Sequence, residues 1–460
     1  MAARRKAIEL YEELRKGIRS GLLASGSALP PTRVLAAEYG LSRGTVVAVY
    51  EQLRAEGYVR SHGGAGTFVN VWLPEDLLEA GTRGGSLPPA AKIPAKARPA
   101  ARPFRSQEPA MDEFPMKIWA ALAGRRLRRG ERELMEPGDP GGYGPLREAV
   151  RQYIGSSRGV YCQTSQVVIV SGIQQALDLC ARLLLRPGDE AWVEDPGYPS
   201  AARAFARAGA TVRGVPVDSL GVRIEEAVRL CPSAKLAYVT PAHQFPLGPT
   251  MPAARRLDLL RWARESGARI IEDDYDSEFR YEGRPVPAMQ GLDRQGLVVY
   301  MGTFNKVLFP GLRLAYVVLP ESLTEIFLRL RTECDLYAPV FSQMVLTDFI
   351  AEGHFMRHLR RLREIYARRL EALEQACARH LQGLVRLPKV QAGLHTPAYV
   401  QGRWTSKTAE KACFDVGLEC YGLHRFAVEH KAPEGFLLGF GAFTERRLAT
   451  AVQKLAAVLR

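Results

Sequence analysis

Six short apolar runs between residues 167 and 319 constrain this chain more than any other feature. They are Val167 to Val170, Glu190 to Val193, Leu236 to Thr240, Arg269 to Ile271, Val298 to Met301 and Ala315 to Leu319. Each is strand-length, and amphipathic helical patterns such as Gln174 to Leu185 and Ala253 to Ser266 lie between several of them. Strands that alternate with helices predict an α/β domain with a largely parallel central sheet. Two of the runs end in reactive side chains. One leads into Glu272-Asp273-Asp274-Tyr275-Asp276, and the next leads through Gly302-Thr303-Phe304-Asn305 to Lys306.

The rest of the 460 residues divides by composition. Residues 1–72 alternate short helical patterns with tight punctuation. Residues 73–105 are rich in Pro, Ala, Gly, Lys and Arg, without periodic apolar positions, and are expected to form a flexible linker. The α/β pattern then covers 106–340, and a smaller C-terminal α/β subdomain, 341–460, is expected to open with one long basic helix through Arg369. Residues 1–105 hold 16 Lys+Arg and nine Asp+Glu, a net +7, which is half of the chain's +14. That asymmetry suggests a polyanionic partner for the N-terminal part. No stretch approaches the ~18 apolar residues of a membrane span. The seven cysteines show neither CxxC nor metal-ligand spacing; they are read as buried reduced thiols of a cytoplasmic protein, with no metal site.

In the N-terminal region, Ile8, Leu10, Tyr11, Leu14, Ile18 and Leu22 predict an amphipathic helix. Thr32 is the expected cap of a short helix through Tyr39, and Ser42 that of a second helix, Arg43 to Glu56, closed by Gly57. So short a Gly-containing turn between helices matches a helix-turn-helix, with Ser42-Arg43-Gly44-Thr45 at the end that enters the major groove. A Gly-rich hairpin tip, His62 to Gly66, reads as a wing. Leu35 to Val46, Tyr50-Glu51-Gln52-Leu53 and Gly64 to Val69 together resemble the winged helix-turn-helix of GntR-type regulators. The resemblance implies double-stranded DNA as partner. It places Arg33, Ser42, Arg43 and Thr45 at phosphates or base edges, with His62 and Gly64 of the wing on the backbone or minor groove.

Several motifs accompany Lys306. Ser171-Gly172-Ile173-Gln174 follows a strand and opens a helix, where backbone N–H groups hold a phosphate at the positive end of the helix dipole. Asp195-Pro196-Gly197-Tyr198-Pro199 ends the next strand. Pro241-Ala242-His243-Gln244-Phe245-Pro246-Leu247-Gly248 follows another, and Pro310-Gly311-Leu312-Arg313 follows the lysine. Together these resemble fold-type I aminotransferases and, with the winged head, the MocR subfamily of GntR regulators. The resemblance implies pyridoxal 5'-phosphate bound through a Schiff base at Lys306, with Asp273 on the pyridine nitrogen and Tyr198 stacked on the ring. Tyr275 donates to the ring oxygen, which His243 or Gln244 also reaches. Ser171, Gly172, Ile173, Gln174, Thr303 and Arg313 surround the phosphate. A homodimer with exchanged heads is also implied.

Three positions depart from that pattern. Asn305 replaces the usual Ser before the lysine, Pro137 replaces a tyrosine, and Leu437 stands where transaminases carry the arginine that grips a substrate carboxylate. Arg425 is the nearest replacement. The expectation is therefore a transcription regulator whose aminotransferase-like domain senses pyridoxal phosphate or an amine or amino acid. An active aminotransferase carrying a DNA-binding appendage is the alternative.

Overall fold

The computed structural model describes residues 2–62, 66–73, 102–281 and 286–460, in two compact units, 1–99 and 100–460. The first unit holds α1 (Ala2–Arg19), α2 (Thr32–Tyr39), α3 (Arg43–Ala55) and the hairpin β1 (Val59–His62) and β2 (Gly66–Val69). Leu10, Leu14 and Ile18 repeat at helical spacing and are buried against Leu35, Val46, Tyr50, Leu53 and Val69. Tyr50 ties the helices to the preceding loop by donating to the Pro30 carbonyl at 2.6 Å. Ser42 caps α3 as its sequence predicts, accepting from the Thr45 N–H at 3.1 Å. Two details differ. The first helix stops at Arg19, leaving Leu22 exposed beyond it, and Pro31, not Thr32, occupies the cap position of α2.

The second unit opens with α4 (Met116–Arg129) and α5 (Gly144–Arg158), then alternates strands and helices. In order come β3 (Val167–Val170), α6 (Ile173–Leu184), β4 (Glu190–Asp195), α7 (Pro199–Arg207), β5 (Thr211–Asp218), β6 (Gly221–Val222), α8 (Ile224–Leu230), β7 (Leu236–Val239), α9 (Ala253–Ser266), β8 (Arg269–Asp274), β9 (Val298–Thr303) and β10 (Ala315–Val318). Their sheet has the order β3-β10-β9-β8-β7-β4-β5-β6. Strands β9, β8, β7, β4 and β5 form a continuous parallel block, while β10 runs antiparallel to both β3 and β9. Helices cover both faces, which is why strands such as β3, β7 and β9 are apolar and buried along their whole length.

The chain continues with α10 (Glu321–Asp335), α11 (Val340–Ala351) and α12 (His354–His380). The single long helix expected from residue 341 is thus two helices, broken around Gly353. The first belongs to the large domain: Asp348 pairs with Arg125 and Arg126 of α4, and buried Gln343 accepts from the Tyr143 N–H. Last come β11 (Val385–Arg386), β12 (His395–Val400), α13 (Ser406–Asp415), β13 (Gly435–Gly439) and α14 (Glu445–Leu459). The three strands form an antiparallel sheet.

The expected linker, 73–105, falls mostly outside the described residues; its last four residues, 102–105, are among those described. Phe104 is fully buried and bridges Gly439, and Arg105 forms a buried ion pair with Glu419 at 2.7 Å. Gly439 permits this approach, since a Cβ there would lie 2.1 Å from the Arg105 carbonyl oxygen. Residues 102–105 therefore pack with the C-terminal subdomain. All seven cysteines are free, and Cys334 is exposed against expectation. Among the described residues no helix is long and apolar enough to cross a membrane, and no cluster of His, Cys, Asp or Glu could hold a metal ion.

Candidate functional site

The sheet's polarity gathers the chemistry at one edge. Parallel strands all present their C-terminal ends on the same side, where crevices form. There β4 leads to Tyr198, β7 to Thr240 and Phe245, β8 carries Asp273 one residue before its end, and β9 leads through Thr303 to Lys306. The reversed strand β10 brings its N-terminal end to this edge, with Val170, Ala315 and Thr303 side by side in register, so Arg313 arrives beside the start of α6. A cavity of about 150 Å³ opens here, lined by residues of all these elements.

Eight of the twelve expected cofactor residues line it: Lys306, Asp273, Tyr275, Tyr198, Ile173, Gln174, Thr303 and Arg313. Ser171 and Gly172 do not, but they immediately precede Ile173 and Gln174, and Gly172 lies against Arg313. Gly172 has φ 134°, a conformation that favours glycine, and a Cβ there would sit 3.3 Å from the Arg313 guanidinium. The first turn of α6 leaves its N–H groups without intrahelical acceptors, so this end combines a helix N-terminus with an arginine. The Ser171 N–H itself donates to the Gln175 side chain at 2.7 Å.

At the other end, Asp273 is buried. Tyr238 donates to its Oδ2 at 2.6 Å, while Oδ1 has no partner. Burial pushes this carboxyl up to about 7, the Tyr238 hydroxyl opposes the shift, and Asp274 and Asp276 add to it. An unpaired carboxylate oxygen in a cavity wall is costly unless a ligand donor meets it, and a protonated ring nitrogen is such a donor. The residues present thus fit a phosphorylated pyridine: arginine and helix start at one end, an acceptor at the other, Tyr198 on the wall and an amine at Lys306.

The remaining acidic side chains of 272–276 have separate tasks. Glu272 accepts from the Met289 and Gln290 N–H groups at 2.7 and 2.8 Å. Asp274 forms a buried ion pair with Arg158 at 2.6 Å and accepts from Tyr300 at 2.7 Å. Asp276 holds His243 at 3.0 Å, and the same His243 Nδ1 lies 3.0 Å from the Tyr275 hydroxyl.

Three expectations change here. His243 stands one hydrogen bond behind Tyr275 and does not line this cavity. Gln244 turns into the loop, donating to the Pro196 and Phe245 carbonyls at 2.9 and 2.6 Å, and Phe245 takes the place at the cavity wall. Arg425 is also absent from the lining: it pairs with Glu410, and its guanidinium lies over the Tyr421 ring. Leu437 is fully buried in an apolar cluster with Phe245, Tyr275 and Leu423.

Sequence reasoning missed Gln107, Tyr238, Thr240 and Phe245. The last three lie on or just after a predicted strand, so their position at its C-terminal end was the available signal. Gln107 had none. It reaches the cavity only because the segment before it docks on β13, and it accepts from Lys306 Nζ through its backbone oxygen at 2.8 Å and its Oε1 at 3.2 Å.

In the first unit, Arg33, Ser42 and Arg43 are exposed and Thr45 is half-buried at the start of α3, with the Ser42 and Thr45 hydroxyls 2.8 Å apart. His62 is exposed at the end of β1, where its ring meets Phe68 edge-on; Gly64 lies outside the described residues.

Comparison with known proteins accounts for both units. Residues 6–69 match the family of bacterial regulatory proteins of the gntR type, and 112–411 match aminotransferase class I and II. The chain is 37% identical over 457 residues to the probable rhizopine catabolism regulatory protein MocR of Rhizobium meliloti, covering 97% of this chain and 92% of that protein. It is 30% identical to the pyridoxine biosynthesis transcriptional regulator PdxR of Corynebacterium glutamicum, over 96% and 93% of the two chains. Among solved structures, the kynurenine aminotransferase of Pyrococcus horikoshii, determined with PMP, superposes with a TM-score of 0.73 at 26% identity, covering 83% of this chain and 98% of that one. A gntR-type head, which implies DNA binding, fused to an aminotransferase-like domain over nearly the full length of such relatives leaves one assignment: the chain belongs to the MocR-type transcriptional regulators.

Proposed function

We propose that this protein is a DNA-binding transcription regulator that holds pyridoxal 5'-phosphate through a Schiff base at Lys306 and senses that cofactor or an amine that reacts with it. The observation that carries the reading is the pairing, in one cavity, of Lys306 with the unpartnered Oδ1 of buried Asp273. Asp273 receives the ring nitrogen, Tyr275 the ring oxygen under the hold of His243, and Tyr198 packs on the ring. The phosphate goes to the α6 start with Thr303 and Arg313. When bound, the cofactor would supply an electrophilic carbon at which a primary amine can replace the Lys306 nitrogen, and a ring that withdraws electrons from that amine.

Occupancy of this site would bias a homodimer with exchanged heads between two arrangements of its DNA-binding surfaces, through different affinities for the two. An aminotransferase with a DNA-binding appendage is the competing reading. Leu437, buried where a carboxylate-gripping arginine was expected, favours the regulator. The test is a binding assay on DNA upstream of the chain's own gene, with and without pyridoxal phosphate and amines. A cofactor- or amine-dependent change in affinity is expected. Unchanged DNA affinity, with rapid amino transfer to a keto acid, would establish the enzyme instead.

A further inference from the structure

The oxygens around Lys306 say which ligands this site accepts. Gln107 offers two of them to one point: its backbone carbonyl at 2.8 Å and its side-chain Oε1 at 3.2 Å both accept from Lys306 Nζ. The residue adopts φ 64°, a left-handed conformation uncommon outside glycine. It is held there by its neighbours. The Gly439 N–H donates to the Phe104 carbonyl at 2.9 Å, the Glu419 N–H to the Pro103 carbonyl at 2.8 Å, and the Tyr366 hydroxyl meets the Ala110 N–H at 2.9 Å. With Lys306 engaged by the cofactor, as in the function proposed above, these two acceptors face the cavity and suit another ammonium.

Among the described residues no further cation is provided for a carboxylate. Lys306 and Arg313 are the cationic side chains among the described residues lining the cavity, and Arg313 lies against Gly172 at the phosphate end. Tyr198, Tyr238, Phe245 and Tyr275 form the aromatic part of the wall, with Leu423 and Leu437 packed behind Phe245 and Tyr275, and the neutral side chains of Gln174, Thr240, Thr303 and Asn305 complete it. Arg425 is spent on Glu410. A carboxylate brought into such a wall loses its water and gains no cation, whereas an aliphatic or aromatic body gains by burial.

We infer that the effector is a primary amine without an α-carboxylate, recognised by Gln107 at its ammonium and by the Phe245–Tyr198–Tyr275 wall along its body. The inference rests on the cofactor reading above, and the test separates the two. The full-length protein loaded with pyridoxal phosphate is titrated with matched probes: 2-phenylethylamine against phenylalanine, and n-propylamine against 2-aminobutyrate. Two signals are followed, the visible cofactor absorption and affinity for the upstream DNA. Each amine should act at concentrations roughly tenfold or more below its amino acid, as an unpaired buried carboxylate implies. Gln107→Leu should weaken the amine response about fivefold, with the backbone carbonyl remaining, and Gln107→Glu, which keeps an acceptor, should restore it.

If the cofactor leaves no visible band on the wild-type protein, the cofactor reading fails and takes this inference with it. With a normal band, amino acids that match or surpass their amines overturn the inference alone, as does a loaded protein that responds to none of the four probes. A Gln107→Leu protein that folds with the wild-type melting profile and responds like wild type removes Gln107 from the site.

Discussion

Tyr238→Phe isolates one hydrogen bond at the base of the cofactor cavity. The substitution keeps the ring, which is buried between Tyr198 and Phe205, and removes only the hydroxyl that donates to Asp273 Oδ2 at 2.6 Å. Burial already holds that carboxyl at about 7, and the hydroxyl works against the shift. A hydrogen bond to a charged group is worth roughly 1.5 kcal/mol or more, about one pKa unit, so the variant's carboxyl should titrate near ~8. If Asp273 meets the ring nitrogen as proposed, cofactor binding needs its ionised carboxylate, and the bond is lost alike from the free and loaded ionised protein. Only the protonation equilibrium then differs. At about pH 6 the ionised fraction falls from roughly one-tenth to one-hundredth, so affinity drops about tenfold; by about pH 9 both proteins are ionised and the gap nearly closes. Absorbance titrations with pyridoxal phosphate from pH 6 to 9 give that ratio directly. A loss that stays constant across the range would refute the assignment of Asp273 as the titrating partner of the ring.

Other perturbations test separate parts of the argument. Arg158→Ala strips the guanidinium from buried Asp274, which among the described residues keeps Tyr300 as donor, and should cost about 3–5 kcal/mol in thermal or denaturant unfolding; a loss under about 1 kcal/mol would mean the pair is not what anchors β8. Glu194, buried against Thr240 and Gln244, is raised by burial from 4.5 to about 7. Because its folded value exceeds its unfolded one, its stabilisation is complete below the unfolded value and is lost as pH rises to about 7, on the order of 3 kcal/mol. Glu194→Gln should flatten that slope in the cofactor-free protein, and an unchanged slope would contradict it. Arg43→Ala should weaken operator binding by about 1–3 kcal/mol if the residue reads a base edge, with specificity at that position relaxed; a uniform loss with a shallower salt dependence would mark a phosphate contact instead.

The chain's local patterns determined its two-part organisation. Ala253 to Ser266 reads as a helix and is one, to the residue, because its apolar spacing, proline start and closing Gly267 all agree. Ser42 likewise announces its own cap. The acidic run 272–276 and Lys306 marked the ends of two adjacent strands, and parallel strands necessarily bring such ends together. Tertiary structure alone decided which of those side chains face the cavity. The hydropathy of Glu272, Asp273, Asp274 and Asp276 is alike, and only their partners distinguish them: two backbone N–H groups, Tyr238, Arg158 and His243 respectively. Gln107 lies furthest from sequence inference, since its segment is held by Gly439 of β13, through Phe104, and by Tyr366 of α12, through Ala110, both partners hundreds of positions downstream. Periodicity records which face of an element is buried; it cannot record which distant backbone a buried segment finds there.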